Sequence, residues 1–303
     1  MLDFICCPYC FSDLKYGNDM LLCLKCSRRF SNQDGIPKLI KTLDKDIKAS
    51  LKKWEIFFHK HLVSGDYLKE YEYYLDKYHK DIYRQVSNST RKPNPVYLEI
   101  GSGTFFLGQS LSKKCEYVIG IDYCRNALLI AKKMLDEKKI KNYLLIQADI
   151  LNMPLKNNTV DLIYGGGVIE HFKDTEKSLN ELYRVLKKKG ISFNTVPYLN
   201  IGSLTYRQVW GNIPDFPILK NIAEFIHIKI LGARHMTYGY ELSFTKRKLI
   251  KLHKKVGFKE IKVDKLEVFL YFEFIPKLIR GPFIWLANNF SFFWPMVKII
   301  AKK

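Results

Sequence analysis

Short, almost unbroken apolar runs punctuate the middle of the chain: VYLEI at 96–100, YVIGIDYC at 117–124 and VDLIY at 160–164. Each is too short for a helix and predicts a buried strand; the first passes through GSGTF into the apolar stretch FLGQSLS, giving strand, glycine loop and helix in succession. On either side the rhythm is helical. Over 42–86, Trp54, Phe57, Phe58 and Leu62 recur at helical spacing between lysines, and YLKEYEYYLDKYHKDIYRQ continues the period with a tyrosine stripe suited to packing. SNSTRKPNP breaks the pattern as a polar, proline-punctuated linker. Downstream, Thr245 caps a predicted helix that ends at Gly257, and GFKEIKVDKLEVFLYFEF reads as the antiparallel strand pair closing the sheet. The pattern divides the chain into a cysteine-bearing module at 1–41, helices at 42–92, a doubly wound α/β domain at 93–270 with an insertion at 199–242, and a tail at 271–303.

The glycine loop narrows the ligand. A dinucleotide fold wants a third glycine where this chain has the bulky Phe106, so a pyrophosphate fits poorly. Glu99, two residues before Gly101, puts a carboxylate at the strand tip, where it favours a cation over a phosphate. Asp122 ends the next strand, nineteen residues after Gly103, where a carboxylate accepts the hydroxyls of a ribose. These features together describe a positively charged ribonucleoside without phosphate, a description that S-adenosylmethionine meets.

The stretch from 96 to about 198 resembles class I methyltransferases. LEIGSGTF matches their first motif, GIDYC the second, QADILNMPLKNNTVDLIYGGGVIEHF the third and fourth, and LNELYRVLKKKGISFNTVP the fifth. The resemblance implies a Rossmann-like sheet and S-adenosylmethionine as cofactor, with Gly101 and Gly103 along its methionine part, Asp122 on the ribose, and Asp149 and Ile150 bracketing the adenine. Where relatives carry Pro-Gly after RVLK, this chain has Lys188 and Lys189, a change in a surface turn.

On the acceptor side, GGGVIEHF places Glu170 and His171 beside the transferred methyl, at the carboxyl end of a strand. His171 has the chemistry to remove a proton from an oxygen or nitrogen acceptor, but methyl transfer mainly needs alignment, so a structural role for the pair stays open. The insertion at 199–242 predicts a lid, with His235, Tyr238, Tyr240 and Glu241 as its polar candidates for acceptor contact.

Cys7, Cys10, Cys23 and Cys26 form two C-x2-C pairs separated by twelve residues. Such pairs offer four thiolates in a tetrahedron, and the intervening segment is long enough for a hairpin turning at Gly17-Asn18-Asp19, which predicts a ribbon around a structural zinc. Residues 4–40 resemble the zinc-ribbon domain fused to, or partnering, certain methyltransferases. Cys6 is either a bystander or an alternative ligand.

Charge and composition qualify the picture. The net charge is +20, and residues 243–303 supply half of it, with 14 Lys+Arg against 4 Asp+Glu. Ten aromatics crowd 269–294, and the longest uncharged run, Gly281 to Val297, is interrupted by Pro282 and Pro295 and is a poor membrane span. Two readings of the tail stand open: contact with an anionic membrane surface, or an apolar wall for the acceptor. The start MLDFICCPYC lacks the form of a secretory leader, so a cytoplasmic protein, peripheral to the membrane where the tail touches it, is expected. The acceptor expected is a small molecule, lipid or sugar. RNA is the alternative that the charge suggests, and a non-catalytic cofactor-sensing protein is a third.

Overall fold

The computed structural model describes residues 2–17, 19–41, 45–67, 69, 79–199, 222, 225, 230, 242–266, 276–294 and 296–303. Its frame is an eleven-stranded sheet in the order β1-β2-β3-β4-β7-β6-β5-β8-β9-β11-β10. The first four strands, β1 (Leu14–Gly17), β2 (Met20–Cys23), β3 (Arg29–Gln33) and β4 (Ile36–Leu39), are an antiparallel run. Gly17 pairs with Met20, so the first hairpin turns where the sequence predicts. Helix α1 (Lys45–Ser64) and α2 (Lys80–Ser87) follow.

The central layer alternates strand and helix: β5 (Val96–Ile100), α3 (Phe106–Leu111), β6 (Tyr117–Asp122), α4 (Arg125–Glu137), β7 (Tyr143–Ala148), β8 (Val160–Gly166), α5 (Thr175–Val185) and β9 (Leu186–Pro197). β5 is buried along its whole length, as a strand covered on both faces must be. It pairs in parallel with β6 on one side and β8 on the other, so the chain reverses its direction of travel across the sheet here. A doubly wound sheet places its ligand at that switch point, outside the carboxyl ends of the strands.

The last strands differ from the sequence reading. α6 (Lys246–Val256) is capped by Thr245, whose side chain accepts from Lys248 N, and ends at Gly257 with φ +110°, both as predicted. β10 (Lys259–Lys265) then pairs with β11 (Met296–Lys302), while residues 267–275, the rest of the expected strand pair, lie outside the described residues. β11 lies between β9 and β10, antiparallel to both. The boundary at 270 and a tail over 271–303 therefore do not hold: the final strand belongs to the sheet, and residues 266–295 are an insertion within the domain. Met296, Val297, Ile299 and Ala301 are buried there, which fixes this short segment as a core strand despite its late position. Part of the insertion is α7 (Lys277–Asn289).

The cysteine module does not stand apart. β4 pairs in parallel with β7, Ile5 bridges to Leu155, and Ile5, Leu14, Leu21, Phe30 and Leu39 share one buried cluster with Ile146, Leu155, Leu182 and Val196. Arg184 locks the seam. Its guanidinium forks onto Glu181 at 2.8 Å twice, donates to the carbonyls of Met153 and Leu155, and covers the ring of Phe11 at 4.8 Å.

Candidate active site

A cavity of about 330 Å³ opens at the switch point. Four strand ends build its floor: Gly101 and Gly103 after β5, Asp122, Tyr123 and Cys124 after β6, Ile150 after β7, and Gly166, Gly167, Val168, His171 and Phe172 after β8. Leu51, Trp54 and Phe58 of α1 form the roof.

The glycines are required by shape. Gly101 has φ +55°, and a Cβ there would come within 2.6 Å of Val168 Cγ2, so the loop passes tightly under the turn after β8 only without a side chain. Gly103 has φ +51° and donates its N–H to Asp122 Oδ2 at 2.8 Å. The other oxygen, Oδ1, accepts from Cys124 N at 2.7 Å. Two main-chain donors thus fix the Asp122 carboxylate on the cavity wall, while burial first, and Glu55 to a smaller extent, raise its pKa above the ordinary value.

Glu99 and Asp149 stand behind the wall, contrary to the expectation that both meet the ligand. Glu99 Oε2 accepts from Gly108 N at 2.8 Å and from the Tyr97 hydroxyl at 3.1 Å, and its burial pushes the carboxyl up to about 8. It braces the glycine loop against the start of α3. Asp149 is spent locally: Oδ1 accepts from Leu151 N and Oδ2 from the Asn152 amide, capping a single 3-10 turn, so only Ile150 of that pair reaches the cavity. Phe106, where a dinucleotide fold wants glycine, packs toward Tyr67, Ile130 and Met134.

On the acceptor side, His171 lines the cavity, whereas Glu170 is only 1% exposed beneath it and its carbonyl accepts from Leu242 N. His235, Tyr238, Tyr240 and Glu241 lie outside the described residues. Trp294, from the insertion before β11, packs at a tilt of 47° against Tyr198 just after β9, with ring centroids 5.9 Å apart, on the same edge of the sheet as the cavity.

The donor set suits one kind of cofactor. Among the described residues no lysine or arginine lines the cavity to answer a pyrophosphate, and one carboxylate faces an otherwise apolar and glycine-lined space, as a sulfonium nucleoside asks. The methyltransferase domain family model matches residues 98–193, from β5 into β9. This segment is a class I, S-adenosylmethionine-dependent methyltransferase domain. It is similar to the demethylmenaquinone methyltransferase of Lactobacillus johnsonii, with 29% identity over 190 residues, 58% of this chain and 73% of that protein. It is also similar to the 2-phytyl-1,4-naphtoquinone methyltransferase of Nostoc punctiforme, with 33% identity over 110 residues, 34% of this chain and 46% of that protein. Among solved structures, the complex of the Haloferax volcanii Trm112 methyltransferase activator with its methyltransferase shares the fold, with TM-score 0.56 and 11% identity over 81% of this chain and 96% of the matched one.

Outside the methyltransferase domain, the four ribbon thiols meet. Their Sγ atoms all lie within 4.8 Å of one another, with Cys10–Cys23 at 3.4 Å and Cys7–Cys26 at 3.7 Å, near the ~3.8 Å edge of a tetrahedral Zn–S4 site. Main-chain donation from Arg28 lowers the Cys26 thiol to about 6, so one ligand is ready as thiolate. Cys6 points elsewhere: it is buried, its N–H donates to Pro154 O, and burial raises its thiol to about 12.

The α1 roof is what sequence reasoning missed. The helix was expected, but not its place over the cofactor; the signal is the Leu51, Trp54, Phe58 set, one apolar stripe within two turns.

Proposed function

We propose that this chain methylates an apolar small-molecule or lipid acceptor, with the four-cysteine ribbon held by a structural zinc. The observation that carries the acceptor class is the lining: Leu51, Trp54, Phe58, Val168 and Phe172 surround the space beside His171, and among the described residues no basic side chain that would track a nucleic-acid backbone lines it. The names of the two relatives, both quinone-type acceptors, favour the same class.

When bound, S-adenosylmethionine supplies an electrophilic methyl on a sulfonium whose charge disappears on transfer. Asp122 receives the ribose hydroxyls, Gly101 and Gly103 let the backbone approach the methionine part, and Ile150 packs on the adenine. Apolar walls keep water away and hold the acceptor in line, which is the main demand of the reaction. His171 takes the proton from an oxygen or nitrogen acceptor, and Glu170 supports the loop from below.

The membrane surface is proposed as the source of the acceptor. α7 turns an apolar face outward: Leu278 is 95% exposed and Trp285 58%, with Ile279 and Phe283 beside them and Lys277 at the helix start. That is the reverse of an ordinary surface helix and suits one lying at the headgroup level. Among the described residues no helix is long and apolar enough to cross a membrane.

The test combines methyl-labelled S-adenosylmethionine, purified protein and a fractionated cell extract, with Asp122→Ala as control. Asp122-dependent label in the lipid or small-molecule fraction is expected. Label in ribonuclease-sensitive material would replace this reading with RNA methylation, and no transfer despite cofactor binding would leave a sensing protein.

A further inference from the structure

Helix α4 starts without a local cap. Its N-cap residue is Cys124, whose side chain makes no capping bond, although the first N–H groups of a helix need acceptors and Ser, Thr, Asp or Asn would supply one. The acceptor comes from another helix. Glu55 of α1 receives Arg125 N on Oε1 at 2.7 Å and Asn126 N on Oε2 at 3.3 Å, and the contact is returned by the Asn126 amide, which donates to the Glu55 carbonyl at 3.1 Å. A carboxylate at a helix N-terminus is also favoured by the helix dipole.

Both ends of this contact lead to the cofactor cavity. Leu51 and Phe58 lie four residues before and three after Glu55, on the same helical face, and both line the cavity with Trp54. On the other side, Asp122 is fixed by Cys124 N, one residue before the N–H that Glu55 holds. The same residue reaches the ribbon: the Arg125 guanidinium donates to Asp34 Oδ2 at 2.8 Å and to Gln33 O at 3.1 Å, in the turn between β3 and β4. Roof, cofactor carboxylate and ribbon meet at the start of α4.

We propose that Glu55 is a positioning residue for cofactor binding: by capping α4 from outside, it holds α1 closed over the cavity and keeps the Asp122 turn in register with that roof. The proposal rests on the S-adenosylmethionine reading of the cavity. Phe58 and Leu62 of α1, with Tyr67 just beyond its end, pack with Ile130 and Met134 of α4, an apolar contact independent of the cap, so loss of Glu55 loosens the roof without unfolding the domain.

The test uses the full chain and Glu55→Ala, Glu55→Gln and Phe58→Ala, with two measurements: S-adenosylhomocysteine affinity by calorimetry, and hydrogen exchange of the ligand-free protein. Glu55→Ala should weaken binding at least tenfold and speed exchange over 51–64 and at the first turn of α4 at least tenfold, with β5, β6 and β8 unchanged. Glu55→Gln, which keeps a neutral acceptor, should recover part of both. Phe58→Ala should weaken binding while leaving exchange at the start of α4 near wild type, since the cap persists. Affinity within twofold of wild type in Glu55→Ala, or unchanged exchange over 51–64, would overturn the proposal. If the unaltered protein binds no S-adenosylhomocysteine, the cofactor reading fails and the proposal with it; the exchange result then still tells whether Glu55 holds the helix.

Discussion

Glu99 should make the protein less stable as pH rises, and Glu99→Gln should remove that dependence. The carboxyl moves from its ordinary 4.5 to about 8 because burial disfavours the charged form, more than the Gly108 N–H and Tyr97 hydroxyl favour it. The folded protein therefore holds a proton that the unfolded chain releases above pH 4.5. The contribution is whole below that pH and disappears as pH rises through about 8. One unit of differential pKa corresponds to about 1.4 kcal/mol, so between pH 5.5 and 7.5, inside the window, the group costs on the order of 2 to 3 kcal/mol. Glutamine is neutral at every pH and keeps an acceptor for Gly108 N. Urea unfolding of both proteins at pH 5.5, 6.5 and 7.5 should show the stability difference moving in favour of Glu99→Gln by about 2 to 3 kcal/mol across the series, at constant m-value. A difference that stays flat within about 0.5 kcal/mol would mean that Glu99 is ionised in the folded state. It would then stand as a buried carboxylate behind the cofactor loop, and the single-carboxylate account of the cavity would fail.

Asp122→Ala should weaken S-adenosylhomocysteine by roughly 10- to 100-fold, the range for losing charge-assisted hydrogen bonds, as read by calorimetry; binding within twofold of wild type would remove Asp122 from the site. Chelating the ribbon metal, or Cys26→Ser, should lower the unfolding temperature of the whole chain in one transition, because ribbon and domain share a buried cluster; a separate low-temperature transition for the ribbon alone would contradict this. Arg184→Lys should destabilise by about 2 kcal/mol, since a point charge cannot reproduce the fork onto Glu181 while satisfying the Met153 and Leu155 carbonyls; an effect below about 0.5 kcal/mol in urea unfolding would show the seam to be held by apolar contact alone. With acceptor in hand, His171→Ala should lower kcat by about 10²-fold or more if the imidazole is the base, leaving cofactor affinity near wild type; an unchanged kcat assigns it to the loop.

Local chemistry made some features legible and long-range geometry hid others. Asp122 was readable because a carboxylate at the end of an apolar strand, a fixed distance after a glycine loop, has few other uses. The four cysteines were readable because their spacing leaves them only each other. Asp149, assigned only through the family resemblance, is held by Leu151 N and Asn152, a cap that any acid before a tight turn can form. Glu99 shows the limit differently: its position at the strand tip was right, and only packing against Tyr97 and α3 decides that it faces inward. β11 was hidden because MVKIIAK follows an aromatic insertion whose composition masks it, and a strand placed between two others by long-range pairing leaves no local mark of its neighbours.

The insertions share a geometry that composition alone could not reveal. β10 runs parallel to β9, and β11 starts opposite the end of β9, with Met296 paired to Pro197. Residues 266–295 therefore leave and rejoin the sheet at the carboxyl edge of β9, the edge where Gly101, Asp122 and His171 line the cavity, and the segment after Pro197 leaves from the same edge. α1 covers that edge from the other side. On the proposed reading, the basic excess of 243–303 would bring that edge to an anionic surface, while the cavity, lined among the described residues without lysine or arginine, would select by shape and apolar contact. Removing exposed apolar groups of α7, as in Leu278→Asp with Trp285→Ser, should therefore abolish sedimentation with anionic vesicles and leave S-adenosylhomocysteine affinity intact. A parallel loss of both would place α7 in the cavity wall and not at a membrane.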